Sequence, residues 1–471
     1  MTDQNTNAMI DVPVNKMLLR MAIPISLGMM STFMFQVVDT YFVGQLGSAE
    51  LAALAFSSSA YLLFLSVFMG LAVGVSAVVA NTIGTGHADK ARGLTMISLA
   101  FVLVLSVALG FGARALIGPM FTGLGADATI LPLIKTYMGI LYLSFPFLML
   151  GIIGSGAARA IGVTKETEII FGIAGLINLV FDYLLIFGIG PFPELGLAGA
   201  AWATAMSFAF IFVGTMTILW RHGLIGFTLG ENSLTGLRSI LKFSVPTISM
   251  QILVPATGML TTFLLAGYGS EAVAAFGVAG RIEALAMIGI FAVSMSVTPF
   301  IAQNIGAGAH DRVDQAIIFA GKSSIYIGIV LFVVLALMGP SIARVFSDDP
   351  DVIRFVSLYF KIVALSYGFQ GIVSVTAAIF NGLQMPRIAL KLMAIRTFGI
   401  VFPLLVLGAQ FGLWWILIAL TVGNIIAAIY AGKLMRAYER KASRPIADAL
   451  PLAELIKDIQ RLFRLSTSDR T

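Results

Sequence analysis

Apolar stretches of about 20 residues or more, the length an α-helix needs to cross roughly 30 Å of hydrocarbon, recur along nearly the whole of this 471-residue sequence. Charged clusters and Gly/Pro punctuation separate them. They define helices near 17–46, 52–82, 92–118, 130–158, 166–190, 196–220, 239–268, 272–305, 315–343, 352–381, 386–408 and 412–436. Only 11% of the residues are charged, against about 25% in a soluble globular chain, so water could not solvate such a fold. The expectation is an all-α polytopic membrane protein of about twelve transmembrane helices. The absence of cysteine excludes disulfides and thiolate metal sites.

Basic residues give the orientation. With the N-terminus inside, Lys90, Arg92, Arg159, Lys165, Arg221, Arg238, Lys242, Arg312, Lys322, Arg387 and Lys391 fall at inner ends or loops. The outer side keeps Arg114, Lys135, Arg344, Arg354 and Lys361, next to Asp127, Asp348, Asp349 and Asp351. This bias places both termini in the cytoplasm. Met1 to Val14 has no signal-peptide pattern, so residues 1–16 are expected to remain as a cytoplasmic tail. Beyond Met435 the chain is basic, and Leu452, Leu455, Ile456, Ile459 and Phe463 recur at helical spacing. An amphipathic helix on the inner leaflet is expected within 437–471.

The chain also repeats itself. Gly47-Ser-Ala-Glu-Leu-Ala-Ala-Leu54 returns as Gly269-Ser-Glu-Ala-Val-Ala-Ala-Phe276, an offset of 222 (269 − 47). The same offset carries Pro24 onto Pro246, and Ile83-Gly-Thr-Gly-His-Ala-Asp89 onto Ile305-Gly-Ala-Gly-Ala-His-Asp311. A repeat of this length corresponds to six spans. An even number of spans makes the halves parallel, related by an axis along the membrane normal. The division expected is an N-lobe over 17–220, a cytoplasmic linker over 221–238 and a C-lobe over 239–436. Two equal bundles suit rocking alternating access.

A carboxylate inside a span costs at least about 2.5–3.5 kcal/mol on insertion scales, so each is a functional candidate. Asp39 and Asp182 each lie about eight residues before the outer end of an outward-running helix. At 1.5 Å per residue both sit roughly 12 Å below that end and share a depth. Asn178 is one turn below Asp182 on the same face. Thr204, about eight residues down the next helix, returns to that level. Two carboxyls, an amide oxygen and a hydroxyl could bind a dehydrated Na+ through oxygen ligands, or the acids could share a proton. The repeat places Thr261 opposite Asp39, Ile400 opposite Asn178 and Leu404 opposite Asp182. The fold is symmetric and the candidate site is not.

The second half carries Arg281 and Glu283 on its second helix and Arg396 on its fifth, all near mid-membrane. Glu283 paired with an arginine of another helix is one reading of this polar set; a secondary cation or substrate site is the other. Pro24 shares its helix with Asp39 and is a hinge candidate. No enzymatic constellation appears: His87, His222 and His310, the only histidines, lie in predicted cytoplasmic loops. No phosphate-cradling loop occurs either, so energy must come from an ion gradient or a partner.

Val38-Asp-Thr-Tyr-Phe-Val-Gly-Gln-Leu-Gly47, followed by Ala52-Ala53, resembles the first-helix motif of the MATE (multidrug and toxic compound extrusion) family. Asn178-Leu-Val-Phe-Asp182 with Leu197-Ala-Gly-Ala-Ala-Trp-Ala-Thr204 resembles its fifth- and sixth-helix motif, and the likeness runs from about Asn15 to Arg436. The resemblance implies twelve helices in two lobes and efflux of organic cations or amphipathic drugs in exchange for H+ or Na+, with no other cofactor. It implies a cation site at Asp39, Asn178, Asp182 and Thr204. It also implies a multi-pass monomer of the bacterial inner membrane, without nucleic-acid partners. One branch of the family places acids where this chain has Val254 and Gln370. That departure points to the DinF-like branch, with coupling in the first lobe and protons ahead of sodium. A lipid-linked precursor flippase of the same superfamily is the alternative, although it usually needs more basic residues in its cavity.

Overall fold

The computed structural model describes residues 8–226, 233–346 and 348–441. The expected amphipathic helix of the C-terminal tail lies outside the described residues. Among these, twelve helices are long and apolar enough to cross a membrane, and no strand occurs. In the first half they are α1 (Val14–Leu46), α2 (Ser48–Gly84), α3 (Ala88–Ala115), α4 (Leu131–Arg159), α5 (Lys165–Phe187) and α6 (Leu197–Arg221). In the second half they are α7 (Ser233–Ala266), α8 (270–306, as Ser270–Ala286 and Ile288–Gly306), α9 (His310–Phe346), α10 (350–382), α11 (386–411) and α12 (Leu413–Lys441). Large apolar side chains such as Phe263, Leu337 and Phe411 stand exposed on these helices. Lipid chains would solvate them as water cannot.

The chain forms two compact units. One takes in the described residues of 1–9 and 23–252, the other those of 10–22 and 253–471. The divisions therefore fall inside α1, just before Pro24, and inside α7, just before Pro255. In the first unit α4 is central, packing against α2, α3 and α6, while α5 packs on α6. The first part of α7 fits closely against α2: Thr247 Oγ1 donates to the Gly70 carbonyl at 2.7 Å, and a Cβ at Gly70 would lie 2.4 Å from Ile248 Cα. Only glycine admits that approach. In the second unit α10 holds the central place, against α8, α9, α11 and α12. Arg312 there donates to the Val12 carbonyl at 2.5 Å and to Asn304 Oδ1 at 3.0 Å.

Two helices of the second unit depart from regular geometry where hydrophobic periodicity alone gives no sign. Within α10 a 3₁₀ turn (Ala364–Ser366) separates Pro350–Ile362 from Tyr367–Gly382. The carbonyl of Ile362 accepts from Thr421 Oγ1 of α12 at 3.0 Å. Within α11 a π-helical stretch, Ile395–Val401, joins Pro386–Ala394 to Phe402–Phe411. Such turns are rare and concentrate at functional sites. By contrast α1 stays helical through Pro24, whose missing N–H removes one bond from the ladder.

Candidate functional site

Five helices of the first unit bring polar side chains to one level. Asp182 of α5 is 0% exposed. Neither of its carboxyl oxygens, nor Oδ1 of Asp39 on α1, meets an N–H or O–H donor among the described residues. What the two acids meet is each other, at hydrogen-bonding reach. A carboxyl–carboxyl hydrogen bond exists only when one partner carries a proton, because an ionised carboxylate is acceptor-only. No lysine, arginine or histidine forms an ion pair with either acid among the described residues.

One turn towards the N-terminus of α5, Asn178 Nδ2 donates to Thr204 Oγ1 of α6 at 3.3 Å. All four residues singled out by depth and motif therefore lie in one cluster, as two adjoining pairs. Tyr137 of α4 joins them: its side chain is buried, and its hydroxyl faces Thr204 and lies near both acids, with Tyr61 of α2 beside it. Charge and depth in the sequence do not single out a tyrosine, which serves equally well as packing. The repeat does carry a signal, for the offset of 222 places Tyr137 on Tyr359, another tyrosine. Towards the C-terminal ends of α1 and α5 from the acids, Phe42 meets Tyr183 and Phe187 with ring centroids 6.0 and 6.1 Å apart. On their N-terminal side, the Phe35 ring occupies the notch left by Gly175, where a Cβ would lie 1.9 Å from Phe35 Cδ2. The acids thus sit between two aromatic layers.

The polar residues of the second unit are arranged otherwise. Glu283 accepts from the hydroxyls of Tyr359 at 2.5 Å and Tyr367 at 3.2 Å, and from Gln370 Nε2 at 3.4 Å, all on α10. It pairs with no arginine within ion-pair distance among the described residues. Arg281 is exposed, two residues away on α8. Arg396, in the π turn of α11, donates from Nη2 to Asn424 Oδ1 at 3.1 Å. Asn424 Nδ2 in turn reaches Ser366 Oγ at 3.0 Å and Gln370 Oε1 at 3.5 Å. Glutamate and arginine are thus linked through two side-chain amides. Of the two readings of this polar set, the direct Glu283–arginine ion pair gives way to this chain, in which Tyr367 and Gln370 take Glu283 and Asn424 takes Arg396.

The MatE family profile matches residues 24–184 and again 246–407, so each half carries one copy. The chain belongs to the MatE family. It is 33% identical to a FAD transporter of Shewanella oneidensis over 432 residues, covering 90% of this chain and 95% of that one. It is 25% identical to the multidrug export protein MepA of Staphylococcus aureus, over 89% and 93% of the two chains. The crystal structure of the Vibrio cholerae MATE transporter VcmN in the bent form superposes with a TM-score of 0.87 at 26% identity, covering 93% and 99% of the two chains. The twelve-helix, two-lobe MATE fold expected from the sequence is the fold of this protein. The relatives named here are transport and export proteins.

Proposed function

We propose that this MATE transporter is a secondary active exporter in the bacterial inner membrane, moving organic cations and amphipathic drugs outward against an inward flow of H+, with Na+ as the alternative coupling ion. The observation that carries the reading is the Asp39/Asp182 contact, a pair of acids with no ion-paired base among the described residues. A pair that must gain or lose a proton to change its hydrogen bonding can report the ion gradient to the helices that hold it. If Na+ is the ion, Asn178 and Thr204 supply the neutral oxygens that a hard cation takes. Both termini face the cytoplasm in this reading, following the basic residues.

The test is ethidium or fluoroquinolone uptake into inverted membrane vesicles under separate pH and sodium gradients, with Asp39→Asn and Asp182→Asn beside the wild type. Gradient-driven uptake is expected in the wild type and not in either variant; undiminished uptake in both would remove the acids from the mechanism. A second substrate, a flavin dinucleotide, is favoured by the 33% identical FAD transporter. Arg396 supports it too, as a buried cation whose Nε has no partner among the described residues; a guanidinium suits phosphate oxygens. Fluorescence of FAD released from energised cells separates the two.

A further inference from the structure

The seam between α1 and α5 holds a third carboxyl that the acid pair does not use. Along α1 the facing positions are Gly28, Phe35 and Phe42; along α5 they are Glu168, Gly175 and Asp182, in both cases seven residues apart. Heptad spacing keeps such residues on one stripe of each helix. Each inner layer seats a long side chain on a glycine. Phe35 fills the notch at Gly175, and Glu168 lies on Gly28, where a Cβ would be 2.0 Å from its Oε2. Fourteen residues of helix put Glu168 roughly 21 Å inward of Asp182.

The surroundings of Glu168 differ from those of a structural glutamate. Its carboxyl oxygens accept no hydrogen bond and form no ion pair among the described residues, although the side chain is half-buried. Arg159, at the inner end of α4 and 6% exposed, interacts with it electrostatically while donating to Ser155 Oγ at 3.1 Å. Lys165 and Glu166 of α5 are exposed, and Glu166 reaches His222 Nε2 at 3.4 Å. Of these groups only Glu168 is cradled in the seam. By the offset of 222, Gly28, Arg159 and Glu168 fall on Met250, Asn381 and Leu390, so the arrangement belongs to the first unit alone, as the acid pair does.

We propose that Glu168 is the inner proton station of the coupling path, a reading that rests on Asp39 and Asp182 as the outer one. The proton shared by the two aspartates leaves its carboxyl oxygen, passes through water admitted when the Phe35 ring quits the Gly175 notch, and bonds to a carboxylate oxygen of Glu168. From there it goes to water at the basic inner surface. Arg159 stabilises the emptied carboxylate, and Phe35 in its notch keeps the two stations apart. A single unliganded carboxyl can hold a proton, but it lacks the several oxygens a sodium ion needs, so this station favours H+.

The experiment uses the full chain in proteoliposomes and two readouts, dye flux driven by a pH gradient and gradient-free exchange of labelled dye. Glu168→Gln is expected to slow the driven flux about a hundredfold, as loss of a positioned proton carrier does, and to flatten its dependence on inner pH, with exchange unchanged. Glu168→Asp should restore part of the driven flux. Gly28→Ala, which fills the cradle and leaves every titratable group in place, should reproduce the slowing. Driven flux at the wild-type rate and pH profile in Glu168→Gln would overturn the proposal, as would equal loss of driven flux and exchange. Failure of the acid-pair reading looks different: Asp39→Asn and Asp182→Asn would then keep gradient-driven flux whatever Glu168→Gln does.

Discussion

Asp182→Asn tests the central contact quantitatively. In the wild type one proton satisfies the two facing carboxyls, whereas the asparagine amide can donate to Asp39 permanently, so the variant imitates the loaded pair and no longer cycles. A pH difference of one unit is worth about 1.36 kcal/mol per proton, a tenfold concentration ratio. One shared proton per cycle therefore supports about tenfold accumulation of dye per pH unit, and two would support about a hundredfold. The assay is steady-state accumulation in proteoliposomes with a one-unit pH step, sodium absent on both sides, and the potential clamped by potassium and valinomycin. The wild type is expected at about tenfold, and Asp182→Asn at equal concentrations on the two sides. Accumulation near a hundredfold in the wild type would refute the shared proton, and tenfold accumulation surviving in the variant would refute the assignment of the pair.

Four further outcomes follow from other parts of the molecule. Tyr359→Phe removes the 2.5 Å donor to Glu283 and should cost about 1.5–3 kcal/mol, the worth of a hydrogen bond to a charged group, seen as a lower thermal midpoint in detergent. Gly70→Leu sets a side chain against the Ile248 backbone; overpacking should cost about 1–3 kcal/mol, read as loss of monodisperse protein on heating. Pro24→Ala restores the missing N–H of α1 and should slow dye efflux without weakening dye binding; normal transport under every gradient would dismiss the hinge. In the loop before α4, Asp127 is held below the usual carboxylate range by hydrogen bonds from the Thr129 hydroxyl and the Ile130 and Thr129 amides. Its contribution is present above the ordinary carboxylate pKa and lost as pH falls through the depressed one. Asp127→Ala should therefore be less heat-stable than wild type at neutral pH, and the gap should close on acidification.

Much of the first unit could be read from the chain because straight helices preserve arithmetic. Counting residues from the outer helix ends places Asp39, Asp182 and Thr204 at one depth, and α1, α5 and α6 are regular enough for the count to hold. Tyr137 escapes the count because a buried tyrosine is unremarkable in a membrane span. The second unit was less legible for a geometric reason. The 3₁₀ turn in α10 changes the rotation per residue, so Ser366 and Tyr367 point where a constant 100° step would not send them, and the π turn in α11 does the same for the residues that follow it.

That π turn also bears on how the two halves came to differ. Up to its first residues the buried positions of α5 and α11 agree at an offset of 222: Thr167 with Ala389, Ala174 with Arg396. Downstream they agree at 223, since the buried residues Asp182 and Leu185 correspond to Leu405 and Gly408. The second MatE match likewise ends at 407, one residue beyond 184 + 222 = 406. A π turn takes one more residue than an α turn, so α11 accommodates its one residue more than α5 as a local bulge, and the rest of the helix keeps its face. Leu405, and not Leu404, then occupies the position equivalent to Asp182, and the match between the two halves holds on both sides of the bulge.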